Sequence, residues 1–134
     1  KMLNKIAEQG YLIVYLTARP IGQSNTTKKY LNWVSEGSEK MKLPNGPLFL
    51  SPADILSALK LEVIVKAPEE FKVPLLKDLA GCFGGDNPIY SGFGNRETDT
   101  YSYIAVGVEY QNIFQIDSSG VVTHMVDGKT ISYE

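Results

Sequence analysis

The chain has 134 residues, of which 43% are hydrophobic and 21% are charged, a composition typical of a globular domain. Its net charge of −2 gives no basis for nucleic-acid binding, and no block of lysine or arginine predicts a polybasic membrane patch. No apolar run approaches the ~18 residues of a membrane-spanning helix, and a single cysteine, Cys82, excludes an internal disulfide.

The first predicted elements are a helix and a buried strand. Apolar residues at helical spacing predict a helix over residues 2–9, and Gly10 suits the position just past its end. The run over residues 11–16 has no polar alternation, so it predicts a strand buried on both faces, as in a parallel sheet. Thr17 and Arg19 follow at its carboxyl end, where ligands bind in open α/β sheets.

A polar loop, a helix and a second strand are predicted next. Residues 21–27 form the loop, and Ser24 or Asn25 suits the cap of a helix that ends near Gly37. The apolar residues on one face of this helix are Tyr30, Leu31, Trp33 and Val34. Residues 48–50 form a short apolar run that predicts the second strand.

The middle of the chain predicts two helices. The first has a capping serine and a proline at its start and covers about residues 51–66. The second begins near Lys72 or Val73, because Pro74 suits the first turn of a helix better than its middle. The residues predicted to face inward are Leu75, Leu76, Leu79 and Phe83, with Cys82 as a core thiol near the helix end.

The last part of the chain alternates strands with a short helix. Strands are predicted over residues 88–93, 112–116 and 121–125, and a helix over residues 101–105. The returning strand over residues 121–125 is predicted to be an edge strand, on which His124 has a structural or surface role. The alternation predicts a three-layer α/β domain with a Rossmann-like, mostly parallel sheet.

Polar residues that suit a phosphate ester stand in three clusters at the ends of these elements. In chain order they are Thr17 with Arg19, Lys72 near a helix start, and Asn95 with Asp99 after the third strand. We expect the sheet to gather them at one edge. A hydroxyl, an ammonium and a helix N-terminus hold phosphate oxygens, and carboxylate and amide oxygens suit Mg²⁺.

Each cluster also has a purely structural interpretation. Thr17 suits strand packing, Lys72 suits a solvated surface, and Arg19 suits pairing with a neighbouring acid. Residues 94–96 suit a turn in which Asp99 caps the helix that follows. No Cys/His set has zinc spacing, and no P-loop or Gly-x-Ser-x-Gly motif occurs in the sequence.

The order of the clusters resembles motifs two, three and four of the haloacid-dehalogenase-like (HAD-like) phosphatases. These motifs are a strand ending in Thr, a Lys at a helix start, and a strand ending in Gly-Asn-x-x-x-Asp. More narrowly, over roughly residues 1–120 the chain resembles the lipin family of Mg²⁺-dependent phosphatidate phosphatases. The stretches that carry this resemblance are Tyr-Leu-Thr-Ala-Arg-Pro (15–20), Gly-Pro-Leu-Phe-Leu-Ser-Pro (46–52), Glu-Val-Ile (62–64), Pro-Glu-Glu-Phe-Lys (68–72) and Phe-Gly-Asn-Arg-x-x-Asp (93–99).

The resemblance implies a role for each residue that would meet the substrate. Thr17 would hydrogen-bond the transferring phosphoryl group, with Ala18 and Arg19 beside it at the mouth of the site. Lys72 would neutralise the developing charge and orient the nucleophile, and Lys66 is the alternative for this role. These roles fit phosphoryl transfer, which depends on positioning and charge stabilisation.

The resemblance also implies a cofactor, a substrate and a location. Mg²⁺ would be held by Asn95 and Asp99, directly or through water. The substrate would be phosphatidic acid at a membrane surface, hydrolysed to diacylglycerol and phosphate. The protein would be cytoplasmic, with peripheral association with the endoplasmic reticulum or nuclear membrane, although the sequence shows no evident basic amphipathic segment.

The family's first motif, Asp-x-Asp-x-Thr, does not occur in the chain. Its first Asp attacks phosphorus to form an aspartyl-phosphate, and its second is the general acid and base; after Asp117, Ser119 stands where the second Asp should be. We therefore expect residues 1–134 to be the C-terminal part of one HAD-like phosphatase domain, inactive alone, with its nucleophile upstream. The alternatives are a non-catalytic phosphatidate-sensing domain, like those of phosphatidylinositol-transfer proteins, and a structural α/β interaction module.

Overall fold

A computed structural model of the chain describes residues 2–36, 43–52, 68–84, 87–119, 121–126 and 129–133. The chain divides into two compact units, Lys1–Glu62 and Val63–Glu134, each of which is described by itself. The described residues form a mixed α/β fold with two small sheets, and the three-layer arrangement stays a prediction. The helix predicted over residues 51–66, including Lys66, lies outside the described residues apart from its first two positions.

The first unit contains a two-stranded parallel sheet. Its elements are α1 (Met2–Glu8), β1 (Tyr15–Pro20), a 3₁₀ turn (Ile21–Gln23), α2 (Ser24–Glu36) and β2 (Leu48–Ser51). Gly10 follows α1 with a φ of 92°, a conformation that favours glycine, so the predicted end of this helix is confirmed. Strand β1 pairs with β2 from Tyr15 opposite Leu48 onwards, and the register shifts between Thr17 and Pro20.

Strand β1 begins later than the apolar run predicts. Tyr11 and Leu12 precede the strand and are exposed, while Thr17 lies within β1 instead of following it. The residues of β1 are half-buried or exposed, so the prediction of a strand buried on both faces is wrong. The apolar run reflects a half-covered strand in a sheet that has two strands in the described part of the chain.

Helix α2 turns two of its aromatic residues towards solvent. Thr27 is buried and Leu31, one turn later, is half-buried, so these two residues mark the inner stripe. Tyr30 is 51% exposed and Trp33 is 68% exposed, so both lie on the outer side. The predicted buried face is therefore wrong for these two residues, and the side chain of Val34 is outside the described part. The loop predicted over residues 21–27 is also wrong, because this segment is helical.

The second unit is built on a four-stranded sheet in the order β3-β4-β5-β6. Its elements are α3 (Pro68–Gly81), β3 (Gly92–Gly94), α4 (Glu97–Ala105), a 3₁₀ turn (Tyr110–Asn112), β4 (Ile113–Ile116), β5 (Val122–Val126) and β6 (Lys129–Tyr133). Strands β3 and β4 are parallel, and the other two pairs are antiparallel. Because β5 lies between β4 and β6, the prediction that residues 121–125 form an edge strand is wrong. His124 is buried, with its ring beside that of Phe114.

Helix α3 begins at Pro68, before the predicted start at Lys72 or Val73, and contains Pro74 in its interior. Proline at the first helical position costs nothing, whereas an interior proline removes a backbone hydrogen bond and costs ~3 kcal/mol. Burial of Leu76, with half-buried leucines on either side, offsets that cost. Because the helix ends at Gly81, Cys82 and Phe83 lie beyond it and are exposed, so the prediction that they face the core is wrong.

Helix α4 packs directly on β3 through a glycine and a tyrosine. The Tyr103 hydroxyl donates a hydrogen bond of 2.8 Å to the Phe93 carbonyl oxygen. Its ring occupies the space that a Cβ atom on Gly92 would need. The helix begins at Glu97, earlier than the predicted start at residue 101, so it brings Asp99 into its first turn.

Gly92→Ala tests this close approach. The added methyl group would meet the Tyr103 ring, 2.6 Å from Cε2, so either the ring or the strand must move. We expect a loss of about 1–3 kcal/mol in the free energy of unfolding, measured by urea denaturation. Gly84→Ala is the matched control, because nothing lies within 4 Å of its added Cβ, and it should change stability by less than about 0.5 kcal/mol.

Tyr103→Phe tests the hydroxyl. Burial, and then the negative charge of Asp99, raise the pKa of Tyr103 above its ordinary value of 10.0. As the pH rises past 10.0, the unfolded chain loses this proton before the folded chain does, so stability falls. At neutral pH the variant should have a free energy of unfolding lower by ~1 kcal/mol, because it lacks the hydrogen bond. When the pH is raised above 10.0, the stability of the variant should fall by less than that of the original chain, because the variant has no proton to lose at this position. Urea denaturation at both pH values measures this, and Tyr101→Phe, exposed on the same helix, is the control.

Candidate active site

A buried ion pair joins α3 and α4 of the second unit. The Lys72 ammonium on α3 donates to Oδ1 of Asp99 on α4, and these side chains are 13% and 6% exposed. The interpretation of Lys72 as a solvated surface lysine is therefore wrong. Lys72 lies in the second turn of α3, because the helix starts at Pro68 and not near Lys72 or Val73 as predicted. The positive charge at this position is therefore that of the Lys72 ammonium, which the Asp99 carboxylate holds in place.

Asp99 also holds the loop that follows β3. Its Oδ2 accepts hydrogen bonds from the backbone N–H groups of Asn95, at 3.1 Å, and Arg96, at 3.3 Å. Arg96 is the N-cap of α4 and Asp99 is the third residue of the helix, so the carboxylate caps the helix start, as the structural interpretation predicts. Asp99 thus serves as a cap and as the partner of Lys72 at the same time.

Gly94 permits the close approach of this carboxylate to the strand. A Cβ atom on Gly94 would stand 2.7 Å from Oδ2 of Asp99, so a larger residue would displace the carboxylate or the strand end. Tyr103 lies on the same helix, and the charge of Asp99 adds to burial in raising its pKa. The sequence reasoning missed Tyr103, although its spacing of four residues from Asp99 places both on one helix face.

An open cleft of about 490 Å³ lies at the carboxyl ends of β3 and β4. Its lining consists of Asn95, Gln115, Ile116, Asp117, Ser118 and Thr123. Asp117 closes the turn after β4, because its Oδ1 accepts from the N–H groups of Ser119, at 2.8 Å, and Val121, at 2.9 Å. Asn95 therefore connects the loop held by Asp99 with a cleft at the sheet edge where ligands of parallel sheets bind.

The donor atoms at this edge are of the kind that Mg²⁺ takes. Mg²⁺ prefers oxygen ligands and keeps several waters, and the amide of Asn95 borders a cleft lined with further amide, carboxylate and hydroxyl oxygens. The residues present therefore fit the ion. Within the described residues no group of three or more His, Cys, Asp or Glu could hold a metal ion.

The remaining predicted site residues lie in the first unit. Thr17 is half-buried within β1, and its Oγ1 accepts a hydrogen bond of 3.3 Å from the Arg19 N–H group. Ala18 is exposed, and the Arg19 guanidinium lies over the ring of Tyr30, 5.5 Å from its centroid. The structure thus brings together Lys72 and Asp99, and places Asn95 next to them. The roles of Thr17, Ala18 and Arg19 stay predictions.

Comparison with known proteins supports the lipin resemblance. A Homo sapiens protein named phosphatidate phosphatase LPIN1 is 45% identical over 121 residues, which are 90% of this chain and 13% of that protein. Phosphatidic acid phosphohydrolase 1 of Saccharomyces cerevisiae is 41% identical over 136 residues, 93% of this chain and 15% of that protein. Phosphatidate phosphatase PAH1 of Arabidopsis thaliana is 41% identical over 132 residues, 96% of this chain and 14% of that protein.

The chain thus spans roughly one seventh of the length of these relatives, between 13% and 15%. The sequence profile of a family described as LNS2 (Lipin/Ned1/Smp2) matches residues 1–134, which is the whole chain. The resemblance drawn from the motifs is confirmed by both findings. With this match and three relatives above 40% identity, the chain belongs to the LNS2 (Lipin/Ned1/Smp2) family.

Proposed function

We propose that the protein carrying this chain is a Mg²⁺-dependent phosphatidate phosphatase, which hydrolyses phosphatidic acid to diacylglycerol and phosphate. The observation that carries the proposal is the buried Lys72–Asp99 pair, fixed to the loop at the carboxyl end of β3. The names of the relatives support the substrate. A three-layer HAD-like arrangement and a role for Thr17 at the phosphoryl group are parts of the same proposal.

Lys72 supplies a fixed positive charge for the phosphoryl group. An ammonium has three donor hydrogens, and Asp99 takes one of them, so donors remain for phosphate oxygens. With 13% of its side chain exposed, Lys72 is poorly screened by water, which strengthens its attraction for a developing negative charge. Asp99 holds this ammonium in place before the substrate arrives, so little reorganisation is required during the reaction.

Asn95 and Asp99 would hold Mg²⁺ in this proposal. An ionised carboxylate has about four acceptor sites, and Asp99 already uses three of them for Lys72 and two backbone N–H groups. A water-mediated contact from Asp99 therefore fits better than direct ligation, while the exposed amide of Asn95 borders the cleft. When bound, Mg²⁺ supplies positive charge that lowers the repulsion between the phosphoryl oxygens and an attacking carboxylate.

The nucleophile lies in a segment upstream of this chain in the proposed mechanism. An aspartate of that segment attacks phosphorus, and the bond from phosphorus to the diacylglycerol oxygen breaks as a second aspartate protonates that oxygen. The second aspartate then takes a proton from water, which attacks the aspartyl-phosphate, releases phosphate and restores the first aspartate. The chain contributes the charge of Lys72 and the loop of Asn95, and it positions both through Asp99. A phosphatidate sensor without catalysis would use the same binding residues but would lack the Asp-x-Asp-x-Thr motif.

Paired substitutions in the longer protein test whether the ion pair serves catalysis or stability alone. Lys72→Met leaves a buried carboxylate without its cation and should cost about 3–5 kcal/mol of unfolding free energy. The double variant Lys72→Met with Asp99→Asn replaces both charges and should recover most of that loss. Its turnover of phosphatidate should still be lower by about 100-fold or more, because the cation at the phosphoryl group is missing.

The contrary outcome is clear-cut. If the double variant recovers both stability and turnover, the pair is structural and the assignment of Lys72 is wrong. Lys77→Met, which removes an exposed lysine from the same helix, is the matched control and should leave stability and turnover unchanged.

A second prediction concerns the 134-residue chain by itself. We expect no Mg²⁺-dependent release of phosphate from phosphatidic acid, because neither aspartate of the first motif is present in it. Phosphate release from the purified chain, compared with and without Mg²⁺, is the measurement. Turnover that survives in the chain and disappears in its Lys72→Met variant would show that the nucleophile lies within these residues.

A further inference from the structure

One exposed face of the first unit combines aromatic and basic side chains. This aromatic–basic face consists of Arg19, Lys29, Tyr30 and Trp33. The rings of Tyr30 and Trp33 are 6.3 Å apart, and the Arg19 guanidinium lies 5.5 Å from the centre of the Tyr30 ring. Lys29 is exposed one helical turn before Trp33, so the two side chains are neighbours on the helix surface.

The aromatic side chains of this face are unusually exposed for residues on a packed helix. Trp33 is 68% exposed and Tyr30 is 51% exposed, although Thr27 of the same helix is buried. Ile21, in the turn that leads into the helix, is also exposed. Apolar side chains that cluster on an outer face mark a contact with another molecule more often than scattered ones do.

The segment that carries this face is basic, although Glu36 ends α2 three residues after Trp33. Between Glu8 and Glu36 the sequence contains no Asp or Glu and three cations, Arg19, Lys28 and Lys29. This segment therefore carries a charge of +3 in a chain whose net charge is −2. A partner that suits the face must offer an apolar layer for the rings and negative charge beside it.

We propose that the aromatic–basic face docks on the surface of an anionic phospholipid bilayer. Tryptophan and tyrosine favour the membrane–water interface, where the ring lies among acyl chains and its polar edge stays hydrated. Arginine and lysine at the same level bind the anionic head groups. The choice of a bilayer rests on the proposed function, since an enzyme acting on phosphatidic acid must meet its substrate in a membrane.

The face is compact and does not cross the bilayer. No helix in the described part of the chain is long and apolar enough to span a membrane. The contact is therefore shallow, and its strength depends on a few rings together with charge. This explains how membrane contact arises although the sequence shows neither a lysine or arginine block nor an evident basic amphipathic segment.

Trp33 is the only tryptophan of the chain and so reports its own insertion. The purified chain is mixed with vesicles of phosphatidylcholine, with or without phosphatidylserine, which is anionic but is not the proposed substrate. We expect the Trp33 emission to shift to the blue, and brominated acyl chains to quench it, on the anionic vesicles. Added salt should weaken the binding, because it screens the attraction between the cations and the lipid.

Variants locate the contact on this face. In co-sedimentation with anionic vesicles, Trp33→Ala should lower binding by about tenfold or more, from lost apolar burial. Lys29→Ala should lower it about fivefold. The matched controls are Tyr101→Ala, an aromatic residue 64% exposed on another helix, and Lys77→Ala, an exposed lysine; both should bind as the original chain does. Circular dichroism confirms that each variant is folded.

The longer protein separates this proposal from the proposed function. There, Trp33→Ala should lower turnover of phosphatidic acid in vesicles but leave turnover of a water-soluble short-chain phosphatidate unchanged. If the protein shows no phosphatase activity while Trp33 still inserts into phosphatidylserine vesicles, docking stands and the catalytic proposal fails.

Three results would overturn the docking proposal. The first is an emission of Trp33 that does not respond to anionic vesicles. The second is equal loss of binding in the Tyr101→Ala and Trp33→Ala variants. The third is self-association of the chain, seen by sedimentation velocity and abolished by Trp33→Ala, without vesicle binding; this would assign the face to a second copy of the chain.

Discussion

The ion pair between Lys72 and Asp99 is the constraint on which the second unit depends. Removing two charged groups from water is costly, and the cost is offset only when the charges pair with each other and their other polar atoms are hydrogen-bonded. Asp99 meets this condition with an ammonium from α3 and two backbone N–H groups from the loop before α4. One carboxylate therefore fixes two helices and a loop, and the position of Asn95 follows from it.

Two glycines make this arrangement sterically possible. Without a side chain at Gly92 the ring of Tyr103 lies against β3, and without one at Gly94 the carboxylate of Asp99 reaches the strand end. Because the strand contributes no side chain at these positions, α4 approaches its backbone closely, and the Tyr103 hydroxyl bonds the Phe93 carbonyl oxygen. The glycines of the Gly-x-Gly strand thus serve the site through packing, whereas their conformational freedom plays no part.

The sequence predicted the proximity of Lys72, Asn95 and Asp99 better than it predicted the bounds of the elements that carry them. Motif order and residue type single out these three residues wherever the helices begin, and their catalytic and metal-binding roles stay predictions. The start of α3 was missed because the preference of Pro74 for a first turn is local, and leucine packing outweighs it. The outward rings of α2 were missed because helical spacing predicts which residues share a face but does not predict which face is covered. The cleft beside Asn95 is not predicted because part of its lining, Thr123, comes from β5, which returns antiparallel to β4.

The two interpretations of Asp99, as a helix cap and as a site residue, are compatible in one arrangement. Asp99 supplies the carboxylate that caps the start of α4, and the same carboxylate holds the Lys72 ammonium, which is the cation of the proposed phosphate site. Most acceptor sites of the Asp99 carboxylate are already used in these hydrogen bonds, which leaves little capacity for direct metal ligation. In the proposed site Asp99 therefore acts chiefly by positioning, because its carboxylate fixes the Lys72 ammonium and the backbone of the loop at Asn95.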